Sequence, residues 1–325
     1  MKELVIPKEN QGQRADKFVR KYLSNAPLSF IYKIFRVKDV KVNGKRINKY
    51  YILKENDLMQ IYVTDKQLDD FNKTRLIVKT NTQLDVIYED GNILIVNKPS
   101  GLLVHGDEQE KRITLNNIVL NYLMEKGEFD VNNHTFVPAP CHRLDRNTSG
   151  LVIFGKNIAS LQALEELFKE KNQINKEYIC LVNGKLYGSN KIDAPLYKDE
   201  KTKTVSVRKF ENGGKKALTY YDVIETFLDC SLLKVRIVTG RTHQIRVHLS
   251  YINHPILGDN KYGNFNVNKE FKEKYHYENQ FLHAEKIEFL HIDGILSYLS
   301  NKVFIASLND KEKKIIEDIR LKGRL

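Results

Sequence analysis

Between Glu177 and Gly240 the chain offers one strand after another. The runs "EYICLVNG", "ALTYYDVIE" and "LLKVRIVTG" are rich in β-branched and aromatic residues or alternate polar with apolar. Helical patterns elsewhere are few and do not alternate regularly with strands. A doubly wound parallel sheet needs a helical crossover between successive strands, so the order predicts an α+β fold instead. We expect a mixed, largely antiparallel sheet with flanking helices. Upstream, "DVIYED" leads into a turn at Asp90-Gly91 and the apolar run Ile93 to Val96. "NIASLQALEELFKE" is helical, with Ile158, Leu161, Leu164 and Phe168 on one side.

The net charge of +12 is concentrated ahead of this sheet. Gly12 to Val63 holds twelve Lys or Arg against four Asp or Glu, a net +8. Ala15, Phe18, Val19 and Tyr22 have helical spacing. Pro27 punctuates, and Ser29 is placed to cap a second helix with Ile31, Ile34 and Phe35 on its apolar face. "VKVNGKRI" reads as a hairpin turning at Asn43-Gly44, and Leu58 to Val63 as a closing strand. The polar positions carry Lys17, Arg20, Lys21, Lys33, Arg36, Lys45 and Arg46. A compact unit with such faces can follow a phosphate backbone by counterion release; the plain alternative is a solvated basic face. Thr64 to Gln83 has little periodicity and reads as a linker. The expected organisation is therefore a small α/β unit over residues 12–63, a linker over 64–83 and the main domain over 84–325.

Met1 to Asn10 has no apolar signal-peptide core, and no run approaches the ~20 apolar residues of a membrane span. Cys141, Cys180 and Cys230 are far apart and form no CxxC pair. A soluble cytoplasmic protein, monomeric and without contact to a membrane, is expected.

The candidate chemistry lies in "CHRLDRNTSGLVIFGKN", where Asp145 sits between Arg143 and Arg146 before a turn and an apolar strand. HExxH, GxxxxGK[ST] and GxSxG are absent. His243 and His248 on one helix would point about 140° apart, too far to share a metal. Glu89 and Asp90 in an exposed turn are poor partners for a two-carboxylate glycosidase. Asp145 alone could be a turn-capping residue. A second segment, "TGRTHQIRVHLSYINHPILGD", gives it another use. Gly240 ends a strand, Thr242 is placed as a helix N-cap, and Ile245, His248, Leu249 and Ile252 line one helical face. Arg241 would then sit at a strand-to-helix corner, able to pair with Asp145 and keep it ionised.

The motifs "NKPSGLLVH", "HRLDRNTSG", "NKEYICLV" and "TGRTHQIRVHLSYINHPILGD", in that order, resemble those of the RluA group of pseudouridine synthases. "RADKFVRKYL", "IYKIFR" and "VKVNGKRI" resemble the small alpha-L RNA-binding domain carried by some members, most closely those of the RluC type. The resemblance runs from about Gly12 through "FLHAEKIEF". It implies a pseudouridine synthase fold and isomerisation of uridine to pseudouridine in RNA, without cofactor or metal. The RNA would be 23S ribosomal RNA or the assembling large subunit. By the same resemblance Asp145 matches the catalytic aspartate, Tyr178 the tyrosine that packs on the target base, and Arg241 the basic partner of the aspartate. Arg143 matches the residue that enters the helix when the base leaves it, and His142 and Arg146 beside it are expected on the RNA-contacting surface. Asn147 stands where the family pattern has aspartate, and Cys141 where an aliphatic residue is common.

Extruding a nucleotide from a duplex costs a few kcal/mol, which a stacking guanidinium can partly offset. Attack of Asp145 on C1′, attack on the ring and removal of the C2′ proton all call for a carboxylate. Two other classes are compatible with the basic surface: a non-catalytic RNA-binding or ribosome-assembly factor, and a nucleic-acid hydrolase or glycosylase.

Overall fold

The computed structural model describes residues 1–71, 79–106, 113–131, 136–169 and 173–323. It opens with a four-stranded antiparallel sheet of β1 (Lys2–Val5), β2 (Val40–Val42), β3 (Lys45–Arg46) and β4 (Leu58–Ile61), in the order β1-β4-β2-β3. Asn43 and Gly44, at φ 50° and 76°, make the two-residue turn between β2 and β3. Helices α1 (Ala15–Tyr22) and α2 (Leu28–Arg36) bury Phe18, Val19, Ile31, Ile34 and Phe35 against Val40, Met59 and Ile61.

Three details differ from the sequence reading. α2 starts after Pro27, whose carbonyl accepts from Phe30 and Ile31, so Ser29 is inside the first turn and caps nothing. β1 pairs with β4 and Ile6 joins this core, so the unit begins well before residue 12. Within the expected linker, Asp65–Phe71 forms α3. Its Leu68 and Phe71 pack on the same core, with Phe71 4.7 Å from the Phe30 ring. Two apolar side chains at i, i+3 fix a short helix when a core lies beside them.

The larger sheet has ten strands. In chain order they start with β5 (Val86–Glu89), β6 (Ile93–Lys98), β7 (Ala139–Pro140), β8 (Ser149–Gly155), β9 (Ile174–Asn183) and β10 (Ser189–Asp193). A separate ribbon, β11 (Leu196–Lys198) with β12 (Val205–Val207), interrupts the series. The sheet resumes with β13 (Leu218–Thr226), β14 (Cys230–Ile237), β15 (Leu282–Phe289) and β16 (Val303–Ile305). The order is β10-β13-β14-β9-β15-β8-β6-β5, with β16 beside β15 and β7 beside β8. Among the described residues the one parallel pairing is β8 with β15. The expected α+β architecture and its antiparallel bias hold. Gly150 permits the parallel contact: its φ is 111°, and a Cβ there would lie 2.2 Å from the Ala284 carbonyl oxygen.

Alternation along β8 assigns the layers. Val152 and Phe154 face a core shared with α4 (Leu115–Glu125) and α6 (Gln244–Tyr251). Leu151 and Ile153 face α5 (Ile158–Lys169) on the other side. Farther along that side, Ile179, Leu181 and Leu232 meet α7 (Phe265–Tyr275) and α8 (Asp310–Lys322). Burial on both faces explains an uninterrupted apolar run, since each fully buried aliphatic side chain contributes roughly 1.5–3 kcal/mol.

Glu89 needs correcting. It is a half-buried anchor, accepting from Lys156 at 2.8 Å and from the Tyr122 hydroxyl at 2.7 Å, with Lys126 2.9 Å away. Among the described residues no helix is long and apolar enough to cross a membrane.

Candidate active site

Where β14 ends at Ile237 and α6 begins at Gln244, the chain turns over the edge of the sheet and opens a cleft of about 560 Å³. Residues 142–145 and Thr148 form one wall and the corner 238–246 the other. Phe168 at the end of α5, and Lys176 and Tyr178 on β9, complete the lining.

Asp145 lies between these walls, and its partner is not the one expected. Arg246 Nη1 donates to Asp145 Oδ2 at 2.8 Å. Arg241 instead donates through Nε to the Lys216 carbonyl at 3.1 Å and stays exposed on the rim. The reason is where the helix starts. Residues 238–243 are spent rounding the corner, so the first inward-facing arginine is the one in the first turn of α6. Thr242 is correspondingly not the N-cap; that position is His243, at φ 52° and without a side-chain capping bond.

Arg246 is itself held from behind. Its Nε and Nη2 donate to Oδ2 and Oδ1 of Asp259 at 2.7 and 2.9 Å, a two-pronged pair around a carboxylate that is 1% exposed. Burial alone would raise the Asp259 carboxyl, but Arg246 and the backbone amides of Lys261 and Tyr262 hold it below its ordinary value. Burial likewise opposes the Arg246 charge, and the two carboxylates overcome it, leaving the guanidinium more firmly protonated than usual. One rigid fork thus joins a buried aspartate to one at the cleft.

The turn carrying Asp145 is pinned by the segment "NKPSG". Lys98 is fully buried, and its ammonium donates to the carbonyls of Pro99, Leu102 and Arg146 at 2.8–2.9 Å. Burial draws it down to about 7, against the opposing pull of Asp145, while three carbonyls match the three protons of the charged form. Ser100 donates to the Asn147 carbonyl at 2.8 Å. The loop therefore uses the backbone of residue 147, and asparagine serves there. Asp145's own carbonyl accepts from Thr148, closing the turn.

Tyr178 stands on β9 opposite Val235, with Cys180 and Val182 on its face of the sheet. Burial first, then the nearby Asp145, pushes its phenol far above the ordinary range, so it is a neutral ring. Arg143 is exposed at the cleft, and Arg146 is half-buried with its carbonyl engaged by Lys98 and Gly101. His142 departs from expectation. Its ring stacks on Phe168 with centroids 4.6 Å apart, and Nε2 accepts from the Ile153 amide at 3.1 Å. Burial, then Lys176, draws it down to about 3. A neutral imidazole tied to β8 serves as a structural post in the cleft wall.

The comparisons bear on what such a cleft does. The RNA pseudouridylate synthase family matches residues 92–251. An uncharacterised RNA pseudouridine synthase of Mycoplasma capricolum subsp. capricolum is 38% identical over 322 residues, covering 94% of this chain and 97% of that one. The chain belongs to the RNA pseudouridine synthase family. Ribosomal large subunit pseudouridine synthase C of Buchnera aphidicola subsp. Baizongia pistaciae is 36% identical, covering 89% of each chain. Its counterpart in Vibrio parahaemolyticus is 37% identical, covering 88% of this chain and 87% of that one. Human RNA pseudouridylate synthase domain containing 4 has the same fold, with a TM-score of 0.57 at 22% identity over 73% of this chain and 93% of that chain. The resemblance read from the motifs is thereby borne out, and this synthase is an isomerase acting on RNA.

In this synthase the sequence reading missed Arg246, Asp259, Lys98, His243 and Tyr262. Helical periodicity put Arg246 next to the apolar face, but every residue from Gln244 to Leu249 is buried, so α6 has no solvent side there. The usable signal was a charge in an enclosed helix with one carboxylate, Asp259, following at the next loop. In the N-terminal unit Lys17, Arg20, Lys21, Lys33, Arg36, Lys45 and Arg46 are all exposed. Beside them lies a ladder the charge count did not reveal. Lys49 sits over the rings of Tyr32 and Tyr50 at 4.6 and 5.0 Å, and Arg14 over Tyr50 at 4.7 Å.

Proposed function

We propose that this synthase converts uridines of 23S ribosomal RNA, in the cytoplasm and as a monomer, with Asp145 acting at the bond between sugar and base. The observation that carries the reading is the Asp145–Arg246–Asp259 bridge at the floor of a cleft roofed by basic side chains. Relatives named for the large ribosomal subunit support the choice of RNA. Isomerisation breaks N1–C1′, forms C5–C1′ and exchanges a proton at C5 for one at N1. No atom is gained or lost overall, the C5 proton passing to solvent as N1 takes one up, so the site must hold a turning uracil and keep water from C1′ more than it must supply strong acid or base. Arg246 fixes the rotamer of Asp145 by a charge-assisted bond, and Tyr178 gives the base a neutral face to pack on. Arg143 at the mouth is placed to fill the gap left in the stack, with Arg146 and Arg241 as further contacts to the RNA backbone. Residues 12–63 with β1 and α3 act as an alpha-L RNA-binding domain. There the basic residues grip phosphates and Tyr32 and Tyr50 stack unpaired bases.

The test uses a large-subunit transcript labelled with tritium at uracil C5. Purified protein is expected to release tritium to water without strand breaks or free uracil, and Asp145→Asn to release none. Free uracil or cleaved RNA would instead mark a glycosylase or hydrolase.

A further inference from the structure

Next to Asp145 a histidine is held in a backbone conformation that side chains rarely adopt. His243 has φ 52°, and its Nε2 lies 3.9 Å from Asp145 Oδ2. Behind the ring, Nδ1 lies 2.7 Å from the hydroxyl of Tyr262, whose oxygen already accepts from the Val205 amide at 3.1 Å. That phenol stays protonated, since burial raises it above its ordinary value. Its one proton has a ready acceptor in Nδ1, which leaves the imidazole proton on Nε2. The oxygen that accepts from Arg246 is also the one 3.9 Å from His243 Nε2.

We infer that Val205, Tyr262 and His243 form a relay that locks the imidazole tautomer, making His243 a positioning residue that presents Nε2–H to Asp145 Oδ2. This rests on the proposed role of Asp145 and adds a task to it. Arg246 supplies the direct bond, and the N–H dipole of His243, 3.9 Å away, adds a weaker pull on the same oxygen that biases the carboxylate plane and leaves the other oxygen for the nucleotide. The imidazole must be neutral to do this. A cation there would sit among Arg246 and Lys261, against Asp145 and Asp259, and would draw Asp145 into an ion pair that lowers its reactivity. Burial, helped by Arg246 and Lys261 and opposed by the two carboxylates, keeps His243 below its ordinary value. The ribbon strand β12, through Val205, is thereby coupled to the chemistry. The strained φ is the means by which the ring leaves the helix and reaches across the cleft.

The experiment measures tritium release and RNA affinity from about pH 5.5 to about pH 8.5, a window that brackets an ordinary histidine. The wild-type limb set by His243 is expected on the acid side of an ordinary histidine, and any limb from Lys98, drawn down to about 7, is common to all variants. Tyr262→Phe removes the donor to Nδ1 and favours the protonated ring, so its acid limb moves upward toward the ordinary value of about 6.5. His243→Asn, a residue that tolerates positive φ and leaves Val205–Tyr262 intact, is expected to lower kcat roughly tenfold at unchanged RNA affinity and to lose that limb. A Tyr262→Phe profile superimposed on wild type, or His243→Asn at full rate, overturns the relay. Inactive wild type would instead overturn the assignment of the reaction, so the two failures are separable.

Discussion

Arg246 divides one guanidinium between two carboxylates, and that division is the physical reason Asp145 faces the cleft in a single pose. Replacing it with lysine keeps the charge but not the fork. Arg246→Lys is expected to fold, to bind RNA as wild type and to lose roughly 100-fold in kcat, the scale of a misplacement near 1 Å; single-turnover kinetics would show it. Lys98 acts one layer back. Lys98→Met leaves the carbonyls of Pro99 and Leu102 without the lysine donor, while that of Arg146 keeps the Gly101 amide, and we expect a loss of about 3 kcal/mol in a denaturant titration. Asp145 was legible because its motif is contiguous in sequence and followed by recognisable turn residues. Arg246 was not, because deciding between Arg241 and Arg246 depends on where the helix starts. That is fixed by Gln244, whose side chain bridges Thr239, the Arg241 amide and Leu218, the last of these 26 residues away in sequence.

At the scale of elements, strands were easier to foresee than their ends. The Asn43-Gly44 hairpin and the strands β9, β13 and β14 follow from local pattern, whereas β10 (SNKID) carries no such pattern and is fixed by pairing with β13. The helix at Asp65–Phe71 and the strand at Lys2–Val5 exist because a neighbouring core or edge accepts them. No periodicity in so few residues announces that. The same holds for Glu89, where β5, the end of α4 and the turn after β8 are tied together by Lys126 and Lys156. Burial alone would raise this carboxyl, but its lysine and tyrosine partners hold it down to about 2. A carboxyl lowered on folding contributes stability above its unfolded value of about 4.3 and loses it as pH falls toward the folded one. Wild type should therefore melt progressively lower between about pH 4.5 and pH 2, and Glu89→Gln should lack up to about 3 kcal/mol of that dependence. Parallel melting curves for the two proteins across this range would contradict the assignment.

Across the whole molecule, charge and chemistry are segregated. The segment from Gly12 to Val63 carries +8 of the net +12, while the cleft with Asp145 lies on the larger sheet. Under the proposed function, the N-terminal unit would grip RNA and the larger one would act on it. Lys33→Ala with Arg36→Ala, both exposed on α2, should reduce the slope of log affinity against log salt by roughly 2, about one for each phosphate left without its cation. Tyr50→Ala should weaken binding without changing that slope, because stacking releases no counterions. The most direct test of the central claim is a map of pseudouridine in 23S ribosomal RNA from cells that lack this protein, complemented with wild type or Asp145→Asn. Our account predicts positions that vanish with the protein, return with wild type and stay absent with Asp145→Asn. Positions restored by Asp145→Asn would contradict it.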